Sequence, residues 1–111
     1  MTRPLDQLEL TISQRLTSAQ PDSSYTARLL AGGVARIGAK VTEEAAEVVE
    51  AAGEEGEVGR QHTIREAADV FYHLLVLLAA RNVKLEEVEA ELARRFNMSG
   101  LDEKAGRSPP K

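Results

Sequence analysis

The chain has 111 residues, no cysteine and a formal net charge of −4. That length supports one domain. The missing thiols exclude a disulfide framework, a cysteine nucleophile and thiolate zinc ligands, in keeping with a reducing cytoplasm, and a pI near 5.2 argues against a nucleic-acid binder that works by neutralising phosphates.

The N-terminal stretch from Met1 to Leu10 lacks the basic-then-apolar layout of a signal peptide. The first helix is expected from Leu5 to about Thr17, opened by Pro4 in its first turn, with Leu5, Leu8, Ile12 and Leu16 at helical spacing. Gln20 to Ser23 reads as a loop, and Ser23 or Ser24 suits the N-cap of the second helix. That second helical region starts near Tyr25, weakens at Gly32-Gly33, and resumes at Val34 to end near Ala52. A glycine-punctuated acidic loop, Gly53 to Gly59, comes next.

A third helix is expected from about His62 to Arg81, with Asn82 as its stop. A fourth runs from about Leu85 to Phe96; its start looks poorly capped, because Lys84 stands where Ser or Thr would serve. The pattern is therefore all-α, a bundle of about four to five helices in a single domain over residues 1–105, with a disordered tail at 106–111. The longest apolar run, Val70 to Ala80, is too short to cross a bilayer, so a soluble, cytoplasmic protein without a membrane partner is expected. That run is apolar nearly all round, which a surface helix of a small monomer does not tolerate. A second copy of the chain is the natural cover, and a homodimer is expected.

About half of the 18 acidic residues lie between Glu43 and Asp69. On an ideal helix Val41, Ala45, Val48, Val49 and Ala52 form the buried stripe, and Glu43, Glu44 and Glu47 occupy the neighbouring arc, Glu44 nearest the stripe. On the third helix Glu66, Asp69 and His73 share one strip at spacings of three and four. Antiparallel packing of the two helices brings the acidic patches face to face. At about 5 Å and an effective dielectric of about 20, each carboxylate pair costs on the order of 3 kcal/mol. Either some are protonated or a cation sits among them, and an all-oxygen set suits Mg²⁺ or Mn²⁺.

Plainer readings compete. Helical acids at this spacing are often simply solvated, and Thr63-x-x-Glu66 matches a capping box that would make Glu66 a helix-start device. Glu50, Glu54, Glu55 and Glu57 read as solvent-facing, and His73 as a packed, hydrogen-bonded core residue.

The arrangement Glu43-Glu44-x-x-Glu47 followed by Glu66-x-x-Asp69 resembles the acidic signature of the all-α nucleotide pyrophosphohydrolases, the MazG-like and dimeric dUTPase-like enzymes. Within that group the chain is similar to the phosphoribosyl-ATP pyrophosphohydrolase family of histidine biosynthesis. The blocks Ser24 to Leu30, Lys40 to Val49, Glu66 to Leu78 and Ser99 to Ala105 carry that similarity, the first and last of them pointing to this branch. Thr42 stands where the family commonly has Gly, and Phe96-Asn97 where His-Gly is common.

The resemblance implies Mg²⁺-dependent cleavage of 1-(5-phosphoribosyl)-ATP to 1-(5-phosphoribosyl)-AMP and pyrophosphate. It implies Glu44, Glu47, Glu66 and Asp69 as metal ligands, with Glu43 as a further ligand or water-orienting base, so that Glu43 and Glu47 are the catalytic pair. Lys40, Arg28, Lys104 and Arg107 are candidate phosphate contacts; each has a solvated or ion-paired alternative, Lys40 with Glu43 or Glu44. A house-cleaning nucleoside triphosphate pyrophosphohydrolase would use the same carboxylates. A non-catalytic helical dimerisation module would use them only as a solubility face.

Overall fold

The computed structural model describes residues 3–17 and 24–96. They form four helices: α1 (Pro4–Leu16), α2 (Tyr25–Ala52), α3 (Gly56–Ala80) and α4 (Leu85–Phe96). No strand occurs among the described residues. The expected tail at 106–111, the Ser99 to Ala105 block, and with them Lys104 and Arg107, lie outside those residues.

α2 is continuous in hydrogen bonding but not in direction. Gly33 sits at φ 81°, ψ 179°, a backbone region essentially reserved for glycine. The four helices are thus five rods, which is why the sequence supports either count. α2 starts as expected: the Ser24 hydroxyl accepts the Ala27 N–H at 3.0 Å, an N-cap.

α3 begins earlier than expected. Gly56, Val58 and Gly59 belong to the helix, not to a loop. Gly56 takes a positive φ of 74° to turn the chain out of α2. Gly59 is buried against Glu54, where an added Cβ would collide with the Glu54 carbonyl oxygen. Those glycines permit a tight entry; they do not break the helix. At the other end Asn82 is left-handed, φ 56°. Val83 N–H bonds to Leu78 O and Asn82 N–H to Ala79 O, the paired bonds of a Schellman stop.

The fourth helix is not poorly capped. Glu87 reaches back to the Lys84 N–H at 2.9 Å, and Glu9 of α1 accepts the Leu85 N–H at 2.6 Å. One cap comes from within the helix and one from a distant helix, which no local pattern around Lys84 reveals. An ion pair, Arg3 to Glu89 at 2.9 Å, adds a second tie between α1 and α4.

The core is built from Ile12, Leu29, Ile37, Leu75 and Val76, with Leu5, Leu8, Leu30, Tyr72 and Leu85 packed against it. α2 and α3 form the main packing pair. Contacts run in opposite numerical order, Glu54 just past α2 with His62 and Glu44 with Glu66 and Asp69, so the pair is antiparallel. The buried line of α2 runs through Ile37, Glu44 and Ala51. This corrects the stripe read from the sequence: Val41 and Val48 are half-buried, Ala45 and Ala52 are exposed, and Val49 is 73% exposed. The apolar arc of α2 is wide enough for two faces, and only one of them packs on α3.

A carboxylate cluster between two helices

The line Ile37, Glu44, Ala51 places an acid inside a core row. Glu44 is only 7% exposed, and its Oε2 has no hydrogen-bond partner. An ionised oxygen left unpaired and dehydrated is costly unless something positive approaches it. One ligand oxygen from each of Glu43, Glu44 and Glu47 lies within 4.8 Å of the other two; the same holds for Glu44, Glu66 and Asp69. Glu44 belongs to both groups and joins the acids of α2 to those of α3.

Burial pushes the Glu44 carboxyl up to about 7, helped by the close approach of Glu47 and by the charges of Asp69 and Glu66. The cluster therefore has two ways to relieve its repulsion, a proton on Glu44 or a cation among the acids. The donor set is all oxygen, and a hard divalent cation would satisfy the orphaned Oε2.

The capping-box alternative for Glu66 fails. Thr63 lies well inside α3 and its hydroxyl donates to Gly59 O at 2.8 Å. Lys40 pairs with Glu43 at 3.2 Å. The hydrogen bond to Glu43 favours the charged form of the Lys40 ammonium, raising its pKa. Arg28 is exposed and has no ion-pair partner among the described residues.

Sequence reading passed over His62. Its Nδ1 lies 3.0 Å from Glu54 Oε1, and its Nε2 is 3.6 Å from Glu66 Oε2. With Glu47, Glu50 and Glu66 it lines a cavity of about 180 Å³ beside the cluster. Glu50, Glu54, Glu55 and Glu57 are exposed as expected, though Glu54 also pairs with His62 and Glu57 accepts from Gln61 at 2.7 Å. The His62-x-x-x-Glu66 spacing was the available signal.

His73 is the packed, hydrogen-bonded residue the sequence suggests. It is 5% exposed, with Nδ1 2.8 Å from the Asp69 carbonyl oxygen and Nε2 3.1 Å from the Tyr25 hydroxyl. Next to it the Thr26 and Tyr72 hydroxyls bond to each other.

Residues 5–96 match the family model described as phosphoribosyl-ATP pyrophosphohydrolase. The chain belongs to this family. It is 52% identical over 108 residues to the phosphoribosyl-ATP pyrophosphatase of Rhodopirellula baltica, covering 97% of this chain and 89% of that one. Similarity to the proteins of that name from Erythrobacter litoralis (52% identity, 93% and 95% covered) and Dinoroseobacter shibae (53% identity, 93% and 97% covered) is as extensive.

Proposed function

We propose that the chain is an enzyme that hydrolyses 1-(5-phosphoribosyl)-ATP to 1-(5-phosphoribosyl)-AMP and pyrophosphate, the second step of histidine biosynthesis, with Mg²⁺ as its cofactor. Membership of the family supports the reaction. The single structural observation behind the chemistry is the buried, unpartnered Glu44 Oε2 amid four other carboxylates.

Glu44, Glu47, Glu66 and Asp69 are the residues that would hold the ion, and Mn²⁺ would fit the same oxygens. When bound, the ion supplies charge neutralisation to the triphosphate oxygens. The chain's own residues do the rest. Glu43, exposed at the edge of the cluster, accepts a hydrogen bond from the attacking water and orients it toward the α–β linkage. Lys40, already beside Glu43, turns its ammonium to pair with a phosphate oxygen when substrate arrives, and exposed Arg28 offers a second cation.

The active form is a homodimer on this reading. Val49 of α2, Val58 at the start of α3, and Ile64 and Phe71 further along α3 are all exposed in one protomer. Ile64, Phe71 and Leu74 form a strip along α3 at helical spacing. Large apolar side chains exposed in this number on a small domain call for cover. No helix among the described residues is long and apolar enough to cross a membrane. Membership of a biosynthetic enzyme family is what supports a cytoplasmic enzyme with a small nucleotide substrate.

Pyrophosphate release from phosphoribosyl-ATP, dUTP and dCTP, each with and without Mg²⁺, tests the reading. Turnover of phosphoribosyl-ATP well above that of the other two, and only with the metal, is expected. Preference for dUTP or dCTP would make the protein a house-cleaning enzyme, and no release from any of them would leave only a helical module.

A further inference from the structure

The kink at Gly33 has a consequence for the site. Had α2 continued straight, its first turn would lie far beyond the level of Lys40. Instead it doubles back, and Tyr25 and Thr26 meet His73 and Tyr72 on α3. His73 is one helical turn beyond Asp69 and Lys40 one helical turn before Glu44, so the antiparallel register puts Tyr25, through His73, at the Lys40 end of the cluster. Levels along the antiparallel pair therefore run from His62 with Glu54, through Glu47 with Glu66 and Glu44 with Asp69, to Lys40 with Tyr25 and His73. The first end is lined by acids, the last by a cation and a phenol.

The hydrogen bonding of Tyr25 is directional. A carbonyl oxygen only accepts, so the bond to Asp69 O places the His73 proton on Nδ1. With a single ring proton on Nδ1, Nε2 is an acceptor and the Tyr25 hydroxyl donates to it. With its proton committed, the phenolic oxygen can only accept from a further partner. The ring is held at the same time, stacked on Tyr72 at 6.3 Å and edge-on to His73 at 6.0 Å. Yet Tyr25 is 42% exposed. A surface tyrosine has no need of a buried imidazole to fix its hydroxyl; a preorganised acceptor does.

We propose that Tyr25 is a specificity-determining residue of this site, its phenolic oxygen receiving a hydroxyl of the added phosphoribosyl sugar at the Lys40 end of the carboxylate cluster. The inference rests on the functional reading above and adds to it the group that selects the substrate. An acceptor suits a hydroxyl and not a phosphate oxygen, which lacks a proton to give. It also gives a role to the Ser24 to Leu30 block, whose tyrosine reaches the site only because Gly33 turns the helix.

The test compares wild type, Tyr25→Phe and Thr26→Val in pyrophosphate release from phosphoribosyl-ATP. Product inhibition by 1-(5-phosphoribosyl)-AMP is measured beside inhibition by AMP, which lacks the added phosphoribosyl group. Tyr25→Phe should raise KM and the inhibition constant of phosphoribosyl-AMP roughly tenfold, with kcat within about twofold and AMP inhibition unchanged. Thr26→Val removes the neighbouring tie to Tyr72 and should leave KM alone. An unchanged KM in Tyr25→Phe, an equal weakening of AMP, or the same KM rise in Thr26→Val overturns the proposal while the enzyme reading stands. A wild-type protein inert toward phosphoribosyl-ATP overturns both.

Discussion

The Glu44 carboxylate of α2 lies within 4.8 Å of the Asp69 carboxylate of α3, and the Glu44 oxygen left without a partner is buried. Two acids on separate helices do not approach this closely in a core for the sake of stability, because their repulsion and desolvation both oppose it. The arrangement is tolerable with a proton or a divalent ion between them.

Mg²⁺ should raise the melting temperature of the wild-type protein, since a ligand held only by the folded state stabilises it by mass action. Glu47→Gln should lower Mg²⁺-dependent turnover at least about 100-fold and leave helical content and the dimer intact. Retained activity in that variant removes Glu47 from the metal site.

Glu44 gives the metal-free protein a pH dependence of known sign. Its carboxyl is raised from 4.5 to about 7 on folding, so between those values the folded state holds a proton that the unfolded state has lost. Stability therefore falls as pH rises from about 4.5 to about 7. Glu91, held down to about 2 by Arg94 and Arg95, has the opposite sign but acts below that window. Denaturant midpoints between pH 4.5 and 8 in chelator should show the decline in wild type, and Glu44→Gln should flatten it. An equal slope in both proteins assigns the effect elsewhere.

Gly33→Ala should destabilise the fold by roughly 1–3 kcal/mol, because φ 81° and ψ 179° are accessible to glycine and not to alanine. The cost is conformational, since an added Cβ at Gly33 has nothing within 4 Å. Gly38→Ala is the matched control. It also has open space but sits in regular helix, so it should stabilise by about 0.5–1 kcal/mol. Chemical denaturation of both variants checks the pair, and equal effects would contradict the kink as the cause.

Helix identity was legible because each element carries its own punctuation: Pro4 at the start of α1, the Ser24 cap, and Asn82 in the stop of α3. The weak point at Gly32-Gly33 was legible too, but not its direction, which depends on one positive φ and decides that Tyr25 meets His73. The α4 cap escaped notice because Glu9 is supplied from α1. The acid cluster was visible as two helical arcs. That Glu44 is inside the core row, and not merely beside it, was hidden by the valines and alanines of α2, which divide between a face packed on α3 and one left open. His62 was missed because its tighter partner, Glu54, comes from the connection before α3, although Glu66 one turn on was visible in the spacing.

Val49→Glu should convert a dimer to a monomer. Val49 is 73% exposed in one protomer, on the face of α2 that does not meet α3. A new charge there costs little in an isolated chain and several kcal/mol if buried unpaired against a second copy. Sedimentation velocity of wild type and variant measures the change, and an unaltered mass would place the interface elsewhere.

The most direct test of the carboxylate assignment is anomalous scattering from crystals of the protein grown with Mn²⁺ and pyrophosphate. A peak within coordination distance of Glu44, Glu47, Glu66 and Asp69 is the expected result. A fully occupied Mn²⁺ peak bound to other residues, with those four carboxylates turned away from any ion, would contradict it.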